Sequence, residues 1–301
     1  MSPFKVLVIC GPTAVGKTEL SLKLAEAFQG EIISADSRQF FMELNIGTAK
    51  PGLDELKRVP HHFVNSHSIA DEYSAGKFEK EGLATIHEIA SRGKLPIIVG
   101  GSGLYIDALI HGIDQPPSDP ELRDSLNETL ENHGLVQLQE RLKSLDPEKY
   151  EAIDLNNPRR VLRAVEIAEL EKRGITKPLK KPGRNFESII IVLNRDRTEL
   201  YERINTRVDQ MIEKGLVEEV EELLPFRQKQ AMQTVGYREL ASYFDKQLSF
   251  EEAVNLIKQN TRRYAKRQIT WFKRMKSAHW FHPAEQNKII HFVKSSLEKR
   301  L

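Results

Sequence analysis

The fold class follows from residues 4–18, FKVLVICGPTAVGKT, in which a short apolar run leads directly into a glycine-rich turn. The run is continuous rather than alternating, as in strands that are buried on both faces of a parallel sheet. Leu20, Leu24 and Phe28 follow at helical spacing, so that strand, turn and helix come in succession. We therefore predict an α/β fold, with a parallel sheet of the phosphate-loop (P-loop) type and flanking helices.

Three further apolar runs supply the other predicted strands, at residues 31–34, 95–99 and 188–193. Helical periodicity follows several of these runs, which favours a doubly wound sheet. In such a sheet, ligands bind outside the carboxyl ends of the strands. The residues directly after each run are therefore the first candidates for a functional site.

A segment of different character interrupts this pattern. The breaker cluster PPSDP at residues 116–120 opens a stretch that is helical, polar and free of strands. We predict a helical insertion domain over residues 115–185, inside a catalytic core formed by residues 1–114 and 186–301. From about residue 198 the pattern is helical to the end of the sequence, which gives the core a helical C-terminal section.

The composition is that of a folded, soluble protein, with 40% hydrophobic and 29% charged residues. The single cysteine, Cys10, excludes an internal disulfide and a cysteine zinc cluster. His61 and His62 lack a third ligand at helical spacing, which favours structural or substrate-positioning roles. Residues 1–5 do not resemble the start of a signal peptide, and no stretch approaches the roughly 18 apolar residues of a membrane span. We expect a cytoplasmic protein that does not enter a membrane.

The glycine-rich turn is the strongest local motif. It matches G-x-x-x-x-G-K-[ST] between a predicted strand and a predicted helix, through Gly11, Pro12, Thr13, Ala14, Val15, Gly16, Lys17 and Thr18. In this motif backbone N–H groups converge on phosphate oxygens, while the helix N-terminus and Lys17 add positive charge. The Thr18 hydroxyl is placed to bind a Mg²⁺ ion. The motif predicts a phosphate and magnesium site without saying whose phosphates it binds.

Two polar residues follow other predicted strands at the same edge of the sheet. Asp36 should point into the crevice of the phosphate loop, where a carboxylate can act as a general base or a magnesium-directed ligand. The alternative is an N-cap for a following helix. Ser102 lies between the glycines of residues 100–103, which permit a close approach of the backbone.

These motifs and others along the sequence resemble those of the bacterial tRNA dimethylallyltransferases, also called the tRNA isopentenyltransferase or IPP transferase family. The resemblance runs through GPTAVGKT at 11–18, DSRQ at 36–39, GTAKP at 47–51, VPHH at 59–62, GGSGLY at 100–105, NPRR at 157–160, RAVE at 163–166, VGYRE at 235–239 and TRRYAKRQITWF at 261–272. The family usually has threonine where this sequence has Ser102, so a hydrogen-bonding role is preserved but a packing role is not. The C-terminal zinc finger of the eukaryotic relatives is absent from the sequence.

The resemblance implies a reaction. The family moves a dimethylallyl group from its diphosphate to the exocyclic amine of the adenine just 3′ of the anticodon. The phosphate loop would then hold the leaving diphosphate, with Mg²⁺, rather than ATP. Asp36 would be the general base for the adenine amine, and Ser102 a second catalytic contact.

The resemblance also implies which residues contact the anticodon stem-loop of the transfer RNA. These are Asp36, Ser37, Arg38, Gln39, Ser102, Arg123, Arg159, Arg160, Arg163, Arg263 and Arg267. Arginine clusters such as that at 159–163 hold phosphates and stack on bases. For this cluster, ion pairs with Glu166 and Glu169 are the alternative.

The region from residue 258 to residue 276 is basic, although the net charge of the whole chain is only +2. Helical spacing places its cations along one face, which is typical of an RNA-binding surface: Arg263, Lys266, Arg267 and Arg274. Tyr264 and Trp271 are expected to face the core instead. For Phe40 and Phe41, base stacking and core packing are both open.

Three other functions fit parts of the sequence. They are a P-loop kinase for small molecules, a prenyltransferase that uses free adenylate, and a nucleotide-switched RNA-binding protein. The basic helical region counts against the kinase, and the arginine cluster counts against the adenylate enzyme. We expect transfer RNA and dimethylallyl diphosphate as substrates, and a monomer with no obligate protein partner.

Overall fold

The computed structural model describes residues 3–71, 73–114, 116–175 and 183–299. The chain forms two compact units. The core unit comprises Met1–Gly112 and Gly183–Leu301, and the helical unit comprises Ile113–Pro182. Of the insertion that we predict, Gln115 and residues 176–182 lie outside the described residues.

The core unit contains a six-stranded parallel sheet. Its strands, in chain order, are β1 (Phe4–Cys10), β2 (Gly30–Ser34), β3 (His61–His62), β4 (Leu95–Gly100), β5 (Phe186–Leu193) and β6 (His279–Phe281). They lie side by side in the order β3-β2-β4-β1-β5-β6. This confirms the predicted α/β class and the four apolar strands. The order also places the end of β1 between the ends of β4 and β5.

The two edge strands were not predicted, and β6 makes the prediction of an entirely helical C-terminal section wrong. β3 is two residues long and β6 three, which is too short for a period-two pattern to show in the sequence. β6 pairs with β5 over Ile191 to Leu193, and β3 pairs with β2 at Ile32 and Ile33.

Helices surround the sheet. In the first part of the core unit they are α1 (Lys17–Ala27), α2 (Leu53–Arg58), α3 (Ala75–Ser91) and α4 (Gly103–His111). The helical unit contains α5 (Pro120–His133), α6 (Leu135–Leu145), α7 (Pro147–Ala152) and α8 (Pro158–Lys172). The C-terminal part of the core unit contributes α9 (Arg197–Glu213), α10 (Leu216–Leu223), α11 (Tyr237–Phe244), α12 (Phe250–Phe272) and α13 (Gln286–Glu298). Short 3₁₀ turns lie at Ile46–Thr48, Leu224–Phe226 and Gln230–Gln233.

The continuous apolar run of β1 is explained by burial on both faces of the sheet. Leu7 and Ile9 pack into one cluster, with residues of α1, α9 and α13. Val6, Val8 and Cys10 pack into the other, with residues of α3 and α4. All five side chains are fully buried, and each of the larger ones stabilises the fold by roughly 1.5–3 kcal/mol.

The helical unit has a core of its own, formed by leucine and valine side chains of α5, α6 and α8. Three of its helices begin in the same way, with an Asp or Asn cap followed by proline. Asp119, Asp146 and Asn157 each accept a hydrogen bond from a backbone N–H of the first turn. Proline is favoured at the next position because its missing N–H would have no partner there.

Within the described parts of the chain, every helix is too short or too polar to cross a membrane.

Candidate active site at the phosphate loop

The phosphate loop joins the carboxyl end of β1 to the first turn of α1. Gly11 and Gly16 have φ angles of +147° and +108°, which residues with a side chain rarely adopt. A Cβ atom on Gly11 would lie 2.5 Å from the carbonyl oxygen of Leu193 at the end of β5. Glycine is therefore required at both positions for the loop to turn beside the neighbouring strand.

Lys17 crosses the loop from the start of α1. Its Nζ atom donates hydrogen bonds to the carbonyl oxygens of Gly11, at 3.0 Å, and Pro12, at 2.8 Å. Burial lowers the pKa of Lys17 to about 8, although the Asp36 carboxylate acts in the opposite direction. The ammonium group is thus still charged at neutral pH, and it lies where an anion bound to the loop would meet it.

A cavity that is partly open to solvent lies beside the loop. Its lining combines the polar groups of the predicted site with an apolar wall, and consists of Lys17, Thr18, Ser21, Ile32, Ser34, Asp36, Gln39, Pro51, His61, Val64, Val99 and Gly100. The phosphate loop, a carboxylate and hydrocarbon surface therefore share one space. This combination suits a substrate with a charged end and an apolar end.

Asp36 caps a turn and not a helix, so the N-cap alternative is not what the structure shows. Its Oδ1 atom accepts a hydrogen bond from the backbone N–H of Arg38 at 3.0 Å. This Asx-turn fixes the direction of the carboxylate at the carboxyl end of β2.

Ser102 lies beside this turn, at the start of α4, and is 8% exposed. Its Oγ atom accepts a hydrogen bond from the backbone N–H of Ser37 at 3.0 Å. The side chain of Tyr264, from α12, lies close to Ser102 and Asp36. Burial, followed by the Asp36 carboxylate, raises the pKa of Tyr264 to about 12.

Tyr264 is partly buried on the inner side of α12, close to Ser102 and Asp36, and Trp271 packs against the core as expected. The indole N–H of Trp271 donates to Asp107 at 2.8 Å. Tyr264 and Trp271 are seven residues apart on α12, so they lie on the same face of the helix. Tyr264 faces Ser102 at the start of α4, and Trp271 faces Asp107 within α4. Helical spacing alone does not distinguish a tyrosine that faces the site, such as Tyr264, from one that packs in the core.

The neighbouring residues of the turn have structural partners. Arg38 donates from Nε to the hydroxyl of Thr234, and Gln39 accepts from the hydroxyl of Ser34 at 3.0 Å. Phe40 and Phe41 are 0% and 5% exposed, so both are core residues rather than stacking platforms. Gln39 lines the cavity and is the member of this group best placed to meet a substrate.

The adjacent histidines have separate roles. The Nε2 atom of His62 lies 2.8 Å from a carboxylate oxygen of Glu31, a buried residue that also pairs with Arg92. His61 lines the cavity, and its Nδ1 atom is 2.7 Å from the carbonyl oxygen of Val59. Burial lowers the pKa of His61, so its imidazole is neutral at pH 7.

A set of arginines from α9 and the residues just before it was not predicted. Arg195 and Arg203 donate to the carbonyl oxygens of Val15 and Ala14 in the phosphate loop, both at 2.9 Å. Arg207 lies one turn further along, close enough to affect the pKa of Lys17. Burial, and then Arg203, lower the pKa of Arg207 itself. The sequence did contain one indication of these arginines. Arg203 and Arg207 are four residues apart, which places both on one face of the helix after β5.

The four arginines of the helical unit that are predicted to contact RNA form two groups. Arg123 and Arg163 pair with Glu166, a fully buried carboxylate, at 3.0 and 2.6 Å. The ion-pair alternative given for the cluster at 159–163 is thus the arrangement of Arg163, and Arg123 shares the same partner. Arg159 and Arg160 are exposed at the start of α8 and remain the predicted RNA contacts of this unit.

The basic face of α12 is exposed as predicted. Arg263, Lys266, Arg267 and Arg274 all lie on the surface of the core unit. The guanidinium group of Arg267 lies 5.8 Å from the ring centre of Tyr264, within the range of a cation–π contact. One helix thus presents cations to solvent and a tyrosine to Ser102.

Comparison with known proteins decides the family, because the sequence model described as IPP transferase matches residues 39–275. The chain belongs to the IPP transferase family. The resemblance of its motifs to that family is thereby confirmed. The family match begins after the phosphate loop, but the relatives described next align over nearly the whole chain.

Two IPP transferase relatives illustrate the similarity, both described as tRNA dimethylallyltransferase. The protein from Christiangramia forsetii is 48% identical over 99% of each chain. The protein from Enterococcus faecalis is 45% identical over 94% of this chain and 93% of its own.

Solved structures in the IPP transferase group agree with these matches. The full-length tRNA isopentenylpyrophosphate transferase of Bacillus halodurans has a TM-score of 0.73 and 38% identity, over 98% of this chain and 97% of its own. A eukaryotic dimethylallyltransferase, described as acting on tRNA, has a TM-score of 0.75 and 28% identity. That match covers 97% of this chain and 77% of the eukaryotic one.

Proposed function

We propose that this protein transfers a dimethylallyl group from dimethylallyl diphosphate to the exocyclic amine of the adenine that lies 3′-adjacent to the anticodon in transfer RNA. The observation that carries the proposal is the shared cavity, in which Asp36 and the phosphate loop lie beside the apolar side chains of Ile32 and Val99. Family membership and the names of the relatives point to the same reaction.

The phosphate loop stabilises the leaving group. As the bond between the allylic carbon and the diphosphate oxygen breaks, negative charge grows on the diphosphate. The N–H groups of the first turn of α1, the Lys17 ammonium and the Arg207 guanidinium are the positive groups next to that position. Their placement before the reaction lowers the barrier, because they do not have to reorient as the charge develops.

Asp36 acts on the acceptor group, the exocyclic amine of the adenine. The adenine amine is a poor nucleophile, since its lone pair is delocalised into the ring. As its nitrogen forms the bond to the allylic carbon, a proton must leave, and the Asp36 carboxylate takes it. The Asx-turn with Arg38 and the contact between Ser102 and Ser37 hold this carboxylate in place.

Magnesium fits the loop through Thr18, whose hydroxyl belongs to the first turn of α1 and whose side chain lines the cavity. Among the residues that the structure describes, no three His, Cys, Asp or Glu side chains are grouped to hold a metal ion. Diphosphate oxygens and water would therefore complete its coordination shell. When bound, the ion supplies positive charge that offsets the charge of the diphosphate.

The acceptor base must leave its stack to reach Asp36. Gln39 lines the cavity and could bond to neighbouring bases, and the exposed cations of α12 could bind the phosphates of the anticodon stem. Arg159 and Arg160 offer a second set of phosphate contacts on the helical unit. Action as a monomer and location in the cytoplasm remain part of this proposal.

The test is transfer of label from radioactive dimethylallyl diphosphate to unmodified transfer RNA, with ATP and AMP offered in parallel. We expect label on the RNA, and a loss of about 10²–10⁴-fold in turnover for Asp36→Asn with RNA affinity nearly unchanged. Asp54→Asn is the matched control, because the Asp54 side chain is fully exposed on α2. ATP turnover or label on AMP would instead identify a kinase or an adenylate prenyltransferase.

A further inference from the structure

Gln268 of α12 joins the phosphate loop to the glycine turn after β4. Its Oε1 atom accepts a hydrogen bond from the backbone N–H of Thr13 at 2.9 Å. Its Nε2 atom donates to the carbonyl oxygen of Gly101, also at 2.9 Å. Since an N–H requires an acceptor and a carbonyl requires a donor, these two partners fix the orientation of the carboxamide.

The carboxamide is confined. Gln268 is 6% exposed, and a Cβ atom added to Gly101 would lie 2.3 Å from its Nε2 atom. On the same helix face, Tyr264 lies close to Ser102, and the indole N–H of Trp271 donates to Asp107. These two contacts hold α12 against the turn, so that Gln268 cannot leave the phosphate loop without breaking buried hydrogen bonds.

The position of Thr13 determines what this bond does. Phosphates bind to such a loop at the first-turn N–H groups of α1, and its lysine reaches the last two phosphates of a triphosphate. The Nζ atom of Lys17 lies at the carbonyl oxygens of Gly11 and Pro12, next to Thr13, so a third phosphate would lie on the Thr13 side of the loop. The Thr13 N–H is already bonded to Gln268, and the side chain of Gln268 fills the space beside it.

We propose that Gln268 is a specificity-determining residue that closes the far end of the phosphate loop, so that the loop accepts a diphosphate and rejects a triphosphate. This inference rests on the proposed function, in which the loop holds the diphosphate of the prenyl donor. It explains how a motif shared with enzymes that use ATP can serve a substrate with two phosphates. A third phosphate would have to displace a buried carboxamide that is bonded on both sides.

The experiment is calorimetric titration of the full chain, in the presence of Mg²⁺, with inorganic pyrophosphate and inorganic tripolyphosphate. We expect the wild-type protein to bind pyrophosphate about tenfold more tightly than tripolyphosphate, a difference of about 1.4 kcal/mol. Gln268→Ala should bring the ratio of the two affinities close to one, by strengthening tripolyphosphate binding. Thr270→Ala is the control, because Thr270 lies on the exposed face of the same helix and should leave the ratio unchanged.

Gly101→Ala provides a second variant, in which Gln268 is kept but its carboxamide is pushed from its place. It should shift the ratio in the same direction, and it replaces Gln268→Ala if that variant does not fold by circular dichroism. Equal affinities in the wild-type protein, or a ratio that neither variant changes, would overturn the role of Gln268. Failure of the proposed function looks different, because the wild-type protein would then transfer no label to RNA, whatever its affinities for the two phosphates.

Discussion

The hydroxyl of Ser102 accepts a hydrogen bond from the backbone N–H of Ser37, a residue 65 positions earlier in the chain. This bond ties the turn after β2, which carries Asp36, to the turn after β4. The two turns are adjacent because β2 and β4 are neighbours in the sheet. The position of the carboxylate therefore depends on a serine that belongs to another element.

Two substitutions of Ser102 distinguish the effect of its hydrogen bond from the effect of its side-chain size. Ser102→Ala removes the acceptor and leaves the Ser37 N–H without it, so we expect kcat/KM for transfer to RNA to fall about tenfold, equivalent to roughly 1.4 kcal/mol. Ser102→Thr keeps the hydroxyl and should retain most of the activity. Steady-state kinetics with saturating prenyl donor measure both variants. Equal activity of the Ala and Thr variants would contradict a hydrogen-bonding role.

The pKa of Lys17 predicts how diphosphate binding depends on pH. Because burial lowers this pKa to about 8, the free protein loses the ammonium charge as the pH rises through that value. The affinity for pyrophosphate should therefore decline between about pH 7.5 and pH 9, and titration calorimetry across this range measures it. Lys17→Ala should bind weakly at pH 7 and show no such decline. A decline of the same size in the Lys17→Ala variant would show that a group other than Lys17 causes the decline.

The basic face of α12 predicts a salt-dependent contribution to RNA binding. We expect Arg263→Ala combined with Arg267→Ala to weaken transfer RNA binding and to reduce the slope of log affinity against log salt concentration. The reduction should be roughly 0.7–0.9 for each RNA phosphate that the variant no longer neutralises. Fluorescence anisotropy at several salt concentrations gives the slope. Arg227→Ala is the control, since Arg227 is an exposed arginine that pairs with Asp245 outside this face. An unchanged slope would show that these two arginines do not contact RNA phosphates.

The buried Glu166 predicts a stability effect in the helical unit. Glu166→Gln leaves Arg123 and Arg163 without their carboxylate, and also weakens the bond to the backbone N–H of Asp119. Because both arginines are partly exposed, we expect a loss of about 1–3 kcal/mol, below the value for a fully buried pair. The melting temperature by circular dichroism should fall, whereas Glu171→Gln, at an exposed position, should not change it. Equal stability of the two variants would show that the pairs with Glu166 contribute nothing.

Sequence patterns predicted the elements whose signal is local. β1 and the phosphate loop are defined by a continuous apolar run and a fixed spacing of glycines, and both follow directly from the residues. β6 was not predicted, because a strand of three residues at the edge of the sheet is too short to show an alternating pattern of apolar and polar residues. Tyr264 was assigned to the core because apolar and aromatic residues on one helix face look alike until the neighbouring element is known.

The missed arginines have a different cause. Arg203 and Arg207 lie far from the phosphate loop in sequence, and no motif connects them to it. They reach it because β5 is the neighbour of β1 in the sheet, so that the segment leaving β5 passes beside the loop that leaves β1. Strand order is a tertiary property that the sequence patterns did not contain, and the electrostatics of the site depend on it.

The contacts of α12 restrict where this protein can tolerate changes in length. Tyr264, Gln268 and Trp271 reach three different partners from one side of the helix. Inserting or deleting one residue among them would rotate everything beyond that point by about 100° around the helix axis. A change of one residue in length is therefore not tolerated between Tyr264 and Trp271, whereas the turn between α12 and β6 makes none of these three contacts.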